Sequence, residues 1–261
     1  MIKIGMVSLG CAKNLVDSEM ILGMLKEGNY EIVTDPSQAD GIIVNTCGFI
    51  EDAKQEAINT ILEMAQYHKK LIVVGCLVQR YEQELKEQIP EVDLFVSIKD
   101  YPTINARINA LFNDDSLKEG LCPMHRVIST PSFTAYLKIS EGCNNCCTYC
   151  AIPLIRGGFR SFPLNNLINE AKMLAKNGAK ELVVISQDTT RYGSDFKDGT
   201  TIVSLLKELL KIKELEYIRM LYLYPNEVSD ELLHLMNDEP RLTPYFDLPI
   251  QHASSRILKA M

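Results

Sequence analysis

Short apolar runs alternate with amphipathic segments along the first half of the chain. The apolar runs are short and bounded by turn residues, which is typical of strands buried on both faces. They predict strands at residues 4–9, 41–45, 71–75 and 92–96. Helical spacing of apolar residues predicts a helix from an N-cap at Asp17 to Gly28, and further helices at 53–65 and 82–88. Strands that alternate with helices are typical of a parallel sheet. We therefore predict an α/β protein with an open parallel sheet domain over residues 1–121.

The same alternation returns in the second half of the chain. It predicts strands at 135–139, 181–186, 217–223 and 245–250, and helices at 167–176, 202–212 and 230–236. A segment rich in Asp, Ser, Pro and Gly, residues 113–132, predicts the domain boundary. Successive βα units of this kind are typical of a β/α barrel, in which active sites lie at the carboxyl ends of the strands. The second domain, residues 131–261, is therefore predicted to be a partial barrel.

Length and composition fit a globular protein of two domains. The chain has 261 residues, of which 46% are hydrophobic and 23% charged. Residues 1–7 form too short an apolar run for a signal peptide, and no run approaches the ~18 apolar residues of a membrane span. These features predict a cytoplasmic protein with no membrane contact. In a reducing compartment, the eight cysteines are predicted to be metal ligands or free thiols rather than disulfides.

The net charge of the chain is acidic. It amounts to −7, with a sequence pI near 5.2. An acidic surface repels phosphate groups, so the charge argues against nucleic acid as a partner and favours a basic one.

The second domain carries a cysteine-rich loop at residues 141–150. Cys143, Cys147 and Cys150 have the spacing C-x3-C-x2-C, so one short loop can turn three thiolates toward a 4Fe–4S cluster and leave its fourth iron open. An open metal position is what a site needs for chemistry. Cys146 is interpreted as a bystander. A zinc site or a disulfide remains an alternative, although zinc would normally recruit a fourth Cys or His nearby.

Three further cysteines share one position in the predicted topology. Cys11 follows the first predicted strand, Cys47 the second and Cys76 the third. The carboxyl ends of parallel strands lie along one edge of the sheet, where ligands bind. The three thiols are therefore predicted to converge. Three thiolates that leave one metal position open suggest a second cluster. Each cysteine alone could instead be a small buried apolar residue. Cys122 is given no role.

The cysteine motifs resemble those of a known family. The loop at 141–150 resembles the signature of the radical S-adenosylmethionine enzymes, and residues 8–19, 45–50 and 74–76 resemble the three motifs of the methylthiotransferase N-terminal domain. The resemblance implies S-adenosylmethionine and two 4Fe–4S clusters as cofactors. It implies that the cluster on the 143–150 loop cleaves S-adenosylmethionine to a radical. It also implies that a cluster on the other three cysteines carries the sulfur that is transferred.

Four further blocks resemble the RimO-type branch of that family. They are residues 10–14, 47–50, 186–193 and 221–225. The resemblance implies methylthiolation of the β-carbon of an aspartate in a small-subunit ribosomal protein. The tRNA-modifying relatives differ in these blocks. A tRNA adenosine methylthiotransferase and an inactive cluster-binding fragment remain the alternatives.

The resemblance also implies contacts and partners. The backbone of Tyr149 is expected to pass the adenine. Gln187 and Asp188 are expected to face S-adenosylmethionine, with capping of the following loop as the alternative. The electron donor is expected to be flavodoxin-like or ferredoxin-like, and the sulfur donor is left open. Relatives continue into further barrel strands and a TRAM domain that this chain is expected to lack. Phe162 stands where relatives often have Arg.

Overall fold

The computed structural model describes residues 1–261. The chain divides into two compact units, Met1–Ser129 and Thr130–Met261, and the division lies within the segment 113–132. Residues 122–129 belong to the first unit. Arg126 is buried against Glu19 at 3.3 Å between Nε and Oε2. The backbone N–H of Ser129 donates to the same carboxylate at 2.8 Å.

The first unit is a five-stranded parallel sheet. Its strands are β1 (Ile2–Ser8), β2 (Tyr30–Val33), β3 (Gly41–Thr46), β4 (Lys70–Gly75) and β5 (Leu94–Ser97), in the order β2-β1-β3-β4-β5. Side chains alternate between the two faces of a strand. Ile43 packs in one hydrophobic cluster, whereas Ile42 and Val44 pack in the other. Because both faces are covered, the central strands are continuously apolar, as the sequence predicted.

Three helices connect strands of this sheet and a fourth follows β5; the helices that begin next to Cys11 and Cys76 start closer to these cysteines than expected. The four helices are α1 (Ala12–Lys26), α2 (Glu51–Ala65), α3 (Cys76–Gln88) and α4 (Ile104–Phe112). The predicted N-cap at Asp17 is wrong, since α1 begins directly after Cys11 and Asp17 is buried within it. Gly10, at φ +86°, makes this abrupt start possible because a side chain disfavours that conformation. Strand β2 and helix α4 were not predicted.

The second unit contains a smaller parallel sheet. Its strands are β6 (Thr134–Lys138), β9 (Glu181–Ile185) and β10 (Tyr217–Met220), in the order β10-β9-β6. Two short antiparallel strands, β7 (Ser140–Glu141) and β8 (Arg160–Ser161), pair beside it. The helices are α5 (Ile152–Arg156), α6 (Leu164–Lys176), α7 (Ile202–Leu209), α8 (Asp230–Asp238) and α9 (Ser255–Leu258).

The predicted fourth strand of the barrel, at 245–250, is wrong. This stretch forms isolated backbone hydrogen bonds instead of a strand ladder. For example, the backbone N–H of Leu223 donates to the Asp247 carbonyl at 3.0 Å. Pro249 lies inside the stretch and Pro244 directly precedes it, and proline cannot donate to a ladder. No helix in either unit has the length and apolar character needed to cross a membrane.

Candidate metal centres and cofactor site

The first-unit cysteines lie at the carboxyl ends of three neighbouring strands. Cys11 follows β1 and is the N-cap of α1, Cys47 directly follows β3, and Cys76 directly follows β4 as the first residue of α3. The chain order of this sheet reverses between β1 and β3, and such a switch point is where parallel sheets bind ligands. The structure therefore places the three cysteines at the carboxyl edge of the sheet, and their convergence on one cluster stays a prediction.

Two glycines let the three cysteine segments approach one another. A Cβ at Gly10 would lie 2.6 Å from the Cβ of Cys47 and 3.1 Å from its sulfur. A Cβ at Gly48 would lie 2.8 Å from the Cα of Leu77, the residue after Cys76. Since real Cβ atoms do not come so close to backbone or to a short side chain, only glycine permits this packing. The Cys11 segment therefore abuts Cys47, and the Cys47 segment abuts the start of α3.

Two helices begin at these cysteines without a side-chain cap. Neither Cys11 at the start of α1 nor Gly75 at the start of α3 supplies a capping side chain. The first N–H groups of a helix carry partial positive charge, which stabilises thiolates and anionic ligands. The edge of the sheet that carries the cysteines is therefore suited to an anionic thiolate-bound group.

In the second unit, strands β7 and β8 close the ends of the cysteine loop. The backbone N–H of Cys143 donates to the Gly157 carbonyl at 3.1 Å, and the N–H of Phe159 donates to the Asn144 side chain at 2.9 Å. Gly142, at φ +74°, passes so near Gly157 that a Cβ would lie 2.5 Å from its carbonyl oxygen. These contacts hold residues 142–159 as a closed loop.

The three predicted ligands of this loop influence one another electrostatically. Burial raises the pKa of the Cys143 thiol, and the charges of Asp188, Cys150 and Cys147 raise it further. The backbone N–H of Asn145 donates to the sulfur of Cys143 at 3.4 Å, a type of contact that stabilises cluster sulfurs. By contrast, Cys146 is exposed.

All eight cysteines are free thiols. In this structure, no three or more His, Cys, Asp or Glu side chains lie close enough together to hold a metal ion. The donor set in each place consists of thiols with no histidine among them. Thiol-only ligation, backbone N–H groups near sulfur and positive helix ends together fit iron–sulfur clusters.

A buried ion-pair triad joins the two ends of the cysteine loop. The Oε2 atom of Glu141 lies 3.1 Å from Lys138 Nζ and 3.1 Å from Arg156 Nη1. Burial opposes ionisation of Glu141, but Lys138 and Arg156 outweigh it and lower the pKa of this carboxyl to about 2. Lys138 and Glu141 precede the loop and Arg156 follows it, so the triad ties the entry of the loop to its exit.

Replacing Glu141 by glutamine is expected to destabilise the second unit at neutral pH. The depressed pKa corresponds to a contribution on the order of 3 kcal/mol, because the ionised form is stabilised only in the folded protein. That contribution is fully present above the ordinary carboxyl pKa of 4.5 and is lost as the pH falls toward 2. Urea unfolding of wild type and Glu141→Gln at several pH values measures it.

The matched control for this change is Glu208→Gln. Glu208 pairs with Lys211 at 2.6 Å, but both side chains are exposed. An exposed pair contributes less than about 1 kcal/mol, so this variant should unfold almost like wild type. A Glu141→Gln defect that stays constant between pH 7 and pH 3 would contradict the assigned charge interaction.

The two predicted cofactor contacts after β9 differ in their surroundings. Both carboxylate oxygens of Asp188 have partners: Oδ1 accepts from the Thr190 hydroxyl at 2.7 Å, and Oδ2 accepts from the Asn145 amide at 3.3 Å. The side chain also pairs with Arg191 at 3.3 Å. In contrast, the Oε1 atom of Gln187 is buried without a partner. Gln187 therefore keeps an acceptor for a ligand, whereas Asp188 holds the cysteine loop through Asn145.

Tyr149, the third predicted cofactor contact, is half exposed on the cysteine loop. Burial raises the pKa of its hydroxyl, with a further contribution from a hydrogen bond to Cys147. Sequence reasoning missed the triad of Lys138, Glu141 and Arg156. The sequence shows only that each of these charged residues lies in an apolar stretch or beside a tight turn. Its role becomes visible only when the side chains that it faces are known.

Two family models match different halves of the chain. A family model described as "Uncharacterized protein family UPF0004" matches residues 3–97, and the model of the Radical SAM superfamily matches residues 137–261. The first range contains Cys11, Cys47 and Cys76, and the second contains the cysteine loop. Each half of the chain therefore matches a family over the part that carries its cysteines.

Named relatives match nearly the whole chain. "Ribosomal protein uS12 methylthiotransferase RimO" of Alkaliphilus oremlandii is 51% identical over 99% of this chain, and that of Pelobacter propionicus is 49% identical over 99%. Over nearly all of its length, the chain is therefore similar to the RimO-type methylthiotransferases. It spans 60% of the length of each of these two relatives. The match to the Radical SAM superfamily and the similarity to these relatives imply S-adenosylmethionine and 4Fe–4S clusters as cofactors.

Solved structures share the fold. The superposition with the radical S-adenosylmethionine methyltransferase TsrM from Kitasatospora setae spans 98% of this chain and 60% of TsrM. It has a TM-score of 0.67 and 12% sequence identity. The superposition with the cobalamin-dependent radical enzyme OxsB spans 99% of this chain and 45% of OxsB, with a TM-score of 0.64 and 14% identity. The predicted fold class, a parallel α/β domain followed by a radical S-adenosylmethionine domain, is confirmed.

Proposed function

We propose that this protein is a methylthiotransferase that modifies the β-carbon of an aspartate in ribosomal protein uS12, using S-adenosylmethionine and two 4Fe–4S clusters. The observation that supports it most is the identity of about half of all residues, across both units, with relatives named as uS12 methylthiotransferases. The net charge of −7 fits a basic ribosomal protein as substrate. This substrate would place the enzyme in the cytoplasm.

The two sets of cysteines have separate roles in this proposal. Cys143, Cys147 and Cys150 would hold the cluster that, when bound, supplies the electron for cleaving S-adenosylmethionine. Cys11, Cys47 and Cys76 would hold the cluster associated with the transferred sulfur. The closed loop at 142–159 fixes its three thiols relative to β6 and β9, whereas the first set depends on the carboxyl edge of β1, β3 and β4.

Residues around the loop would position S-adenosylmethionine. The unpartnered, buried oxygen of Gln187 would accept a hydrogen bond from a donor on the cofactor, because leaving it unpaired costs about 1–3 kcal/mol. Tyr149 is half exposed, and its backbone would pass the adenine. Asp188 would act indirectly, by holding Asn145 and with it the turn between Cys143 and Cys147. The reductant would be a flavodoxin-like or ferredoxin-like protein.

The substrate assignment predicts the outcome of a competition assay. With purified uS12 and unmodified tRNA present together, the methylthio group is expected to appear on uS12 and not on tRNA. Mass spectrometry of the digested protein and of the tRNA nucleosides measures both products. The acidic surface of the chain gives the physical reason, since it attracts a basic protein and repels phosphate.

A full-length relative serves as the positive control for this assay, because the chain spans only part of such proteins. Methylthiolated adenosine in the tRNA would overturn the substrate assignment in favour of tRNA modification. Cleavage of S-adenosylmethionine without either product, beside an active relative, would favour the alternative that this length of chain binds clusters but does not complete the transfer.

A further inference from the structure

A single buried amide, Asn14, contacts all three cysteine segments of the first unit. Asn14 lies in the first turn of α1, three residues after Cys11, and is fully buried. Asparagine is a poor helix former and costs free energy when buried without partners. Its presence at this position therefore needs a compensating set of contacts.

The donor side of this amide joins the ends of β1 and β3. Its Nδ2 atom donates to the carbonyl of Leu9 at 3.2 Å and to the carbonyl of Thr46 at 2.9 Å. The last β1–β3 pair of the ladder is Ser8 with Asn45. Leu9 follows Ser8 and lies two residues before Cys11, and Thr46 follows Asn45 and directly precedes Cys47. The side chain therefore continues the pairing of the two strands beyond the ladder.

The acceptor side of the amide reaches the third segment. Because both donated bonds fix the orientation of the carboxamide, its Oδ1 atom faces α3, where the sulfur of Cys76 lies 3.4 Å away. The backbone carbonyl of Asn14 in turn accepts from the Asn45 amide at 2.8 Å. One residue thus touches the segment before Cys11, the segment before Cys47, and Cys76 itself.

We infer that Asn14 is a positioning residue for the first-unit metal centre, holding the three cysteine segments in register before a cluster binds. The inference rests on the proposed assignment of a cluster to Cys11, Cys47 and Cys76. The sheet alone cannot supply this register, because the ladder ends before each cysteine and the three side chains belong to separate βα turns. Residues that orient metal ligands in this way typically change metal affinity about 10- to 100-fold when replaced.

The test uses the whole chain with Cys143, Cys147 and Cys150 changed to alanine, so that only the first-unit cluster is measured. In this background, Asn14→Asp keeps the size of the side chain but replaces two donors by an acceptor facing two carbonyls. After anaerobic reconstitution with iron and sulfide, Asn14→Asp is expected to retain its cluster at least about tenfold less well against a chelator. The electron paramagnetic resonance line of any remaining reduced cluster is expected to broaden.

Ser18→Ala is the matched control for this experiment. Ser18 is buried in the same helix one turn further on, and its hydroxyl bonds to Ser8 and Asn45 at 2.8 Å each without reaching a cysteine. It should lower the melting temperature of the protein yet leave cluster retention and the resonance line unchanged. If Asn14→Asp does not fold, Asn14→Ala, which removes the same contacts without burying a charge, carries the test.

The outcomes separate the inference from the cluster assignment. Cluster retention by Asn14→Asp equal to that of Ser18→Ala would overturn the positioning role while leaving the cluster in place. A background protein that takes up no iron at all, although it is folded, would overturn the assignment of a cluster to the first unit and the inference with it.

Discussion

Replacing Cys143, Cys147 and Cys150 together by alanine is expected to abolish reductive cleavage of S-adenosylmethionine and to leave about half of the iron. The three thiols lie on one closed loop of the second unit, so their loss removes one cluster and leaves the cysteines of the first unit unaffected. Liquid chromatography of 5′-deoxyadenosine formed with dithionite measures cleavage. Iron and sulfide analysis after anaerobic reconstitution measures cluster content.

Cys146→Ala is the control for that variant. Cys146 is adjacent to Cys147, but its side chain is exposed and its nearest partner is the Asn144 carbonyl at 3.8 Å. The variant should keep both clusters and full cleavage. Cys122→Ala, outside both sets, should behave in the same way. Loss of a cluster on either single change would show that the ligand assignment is wrong.

Replacing Cys11, Cys47 and Cys76 together by alanine is expected to spare cleavage of S-adenosylmethionine and to stop the transfer of sulfur. Cleavage of S-adenosylmethionine should continue, because the loop at 142–159 is held by contacts within the second unit. Sulfur insertion should stop, and again about half of the iron should remain. Parallel measurement of 5′-deoxyadenosine and of methylthiolated uS12 distinguishes the two steps.

The two triple variants check each other. Loss of all iron from either one, in a protein whose circular dichroism is unchanged, would contradict two independent clusters. Continued sulfur insertion by the variant without Cys11, Cys47 and Cys76 would overturn the role given to the first unit, even if its iron content fell as expected.

The alternation of apolar runs and amphipathic segments predicted most of the strands of the chain. Strands β1, β3, β4, β5, β6, β9 and β10 all lie where the apolar runs placed them. Strands covered on both faces must be apolar throughout, which makes their signal strong. The edge strand β2 carries Glu31 and is only four residues long, so its pattern was too weak to detect. The false strand at 245–250 had the apolar content of a strand, but it contains Pro249 and directly follows Pro244.

The sequence by itself determined the chemistry, and the tertiary structure decided how the ligands are held. Cysteine spacing and strand-end position are local properties, so both sets of thiols could be predicted from the order of residues. Asn14 and the triad of Lys138, Glu141 and Arg156 connect positions far apart in the chain or across a turn. A buried polar residue shows its role only through the partners that folding brings to it, because the same side chain unpaired would be destabilising.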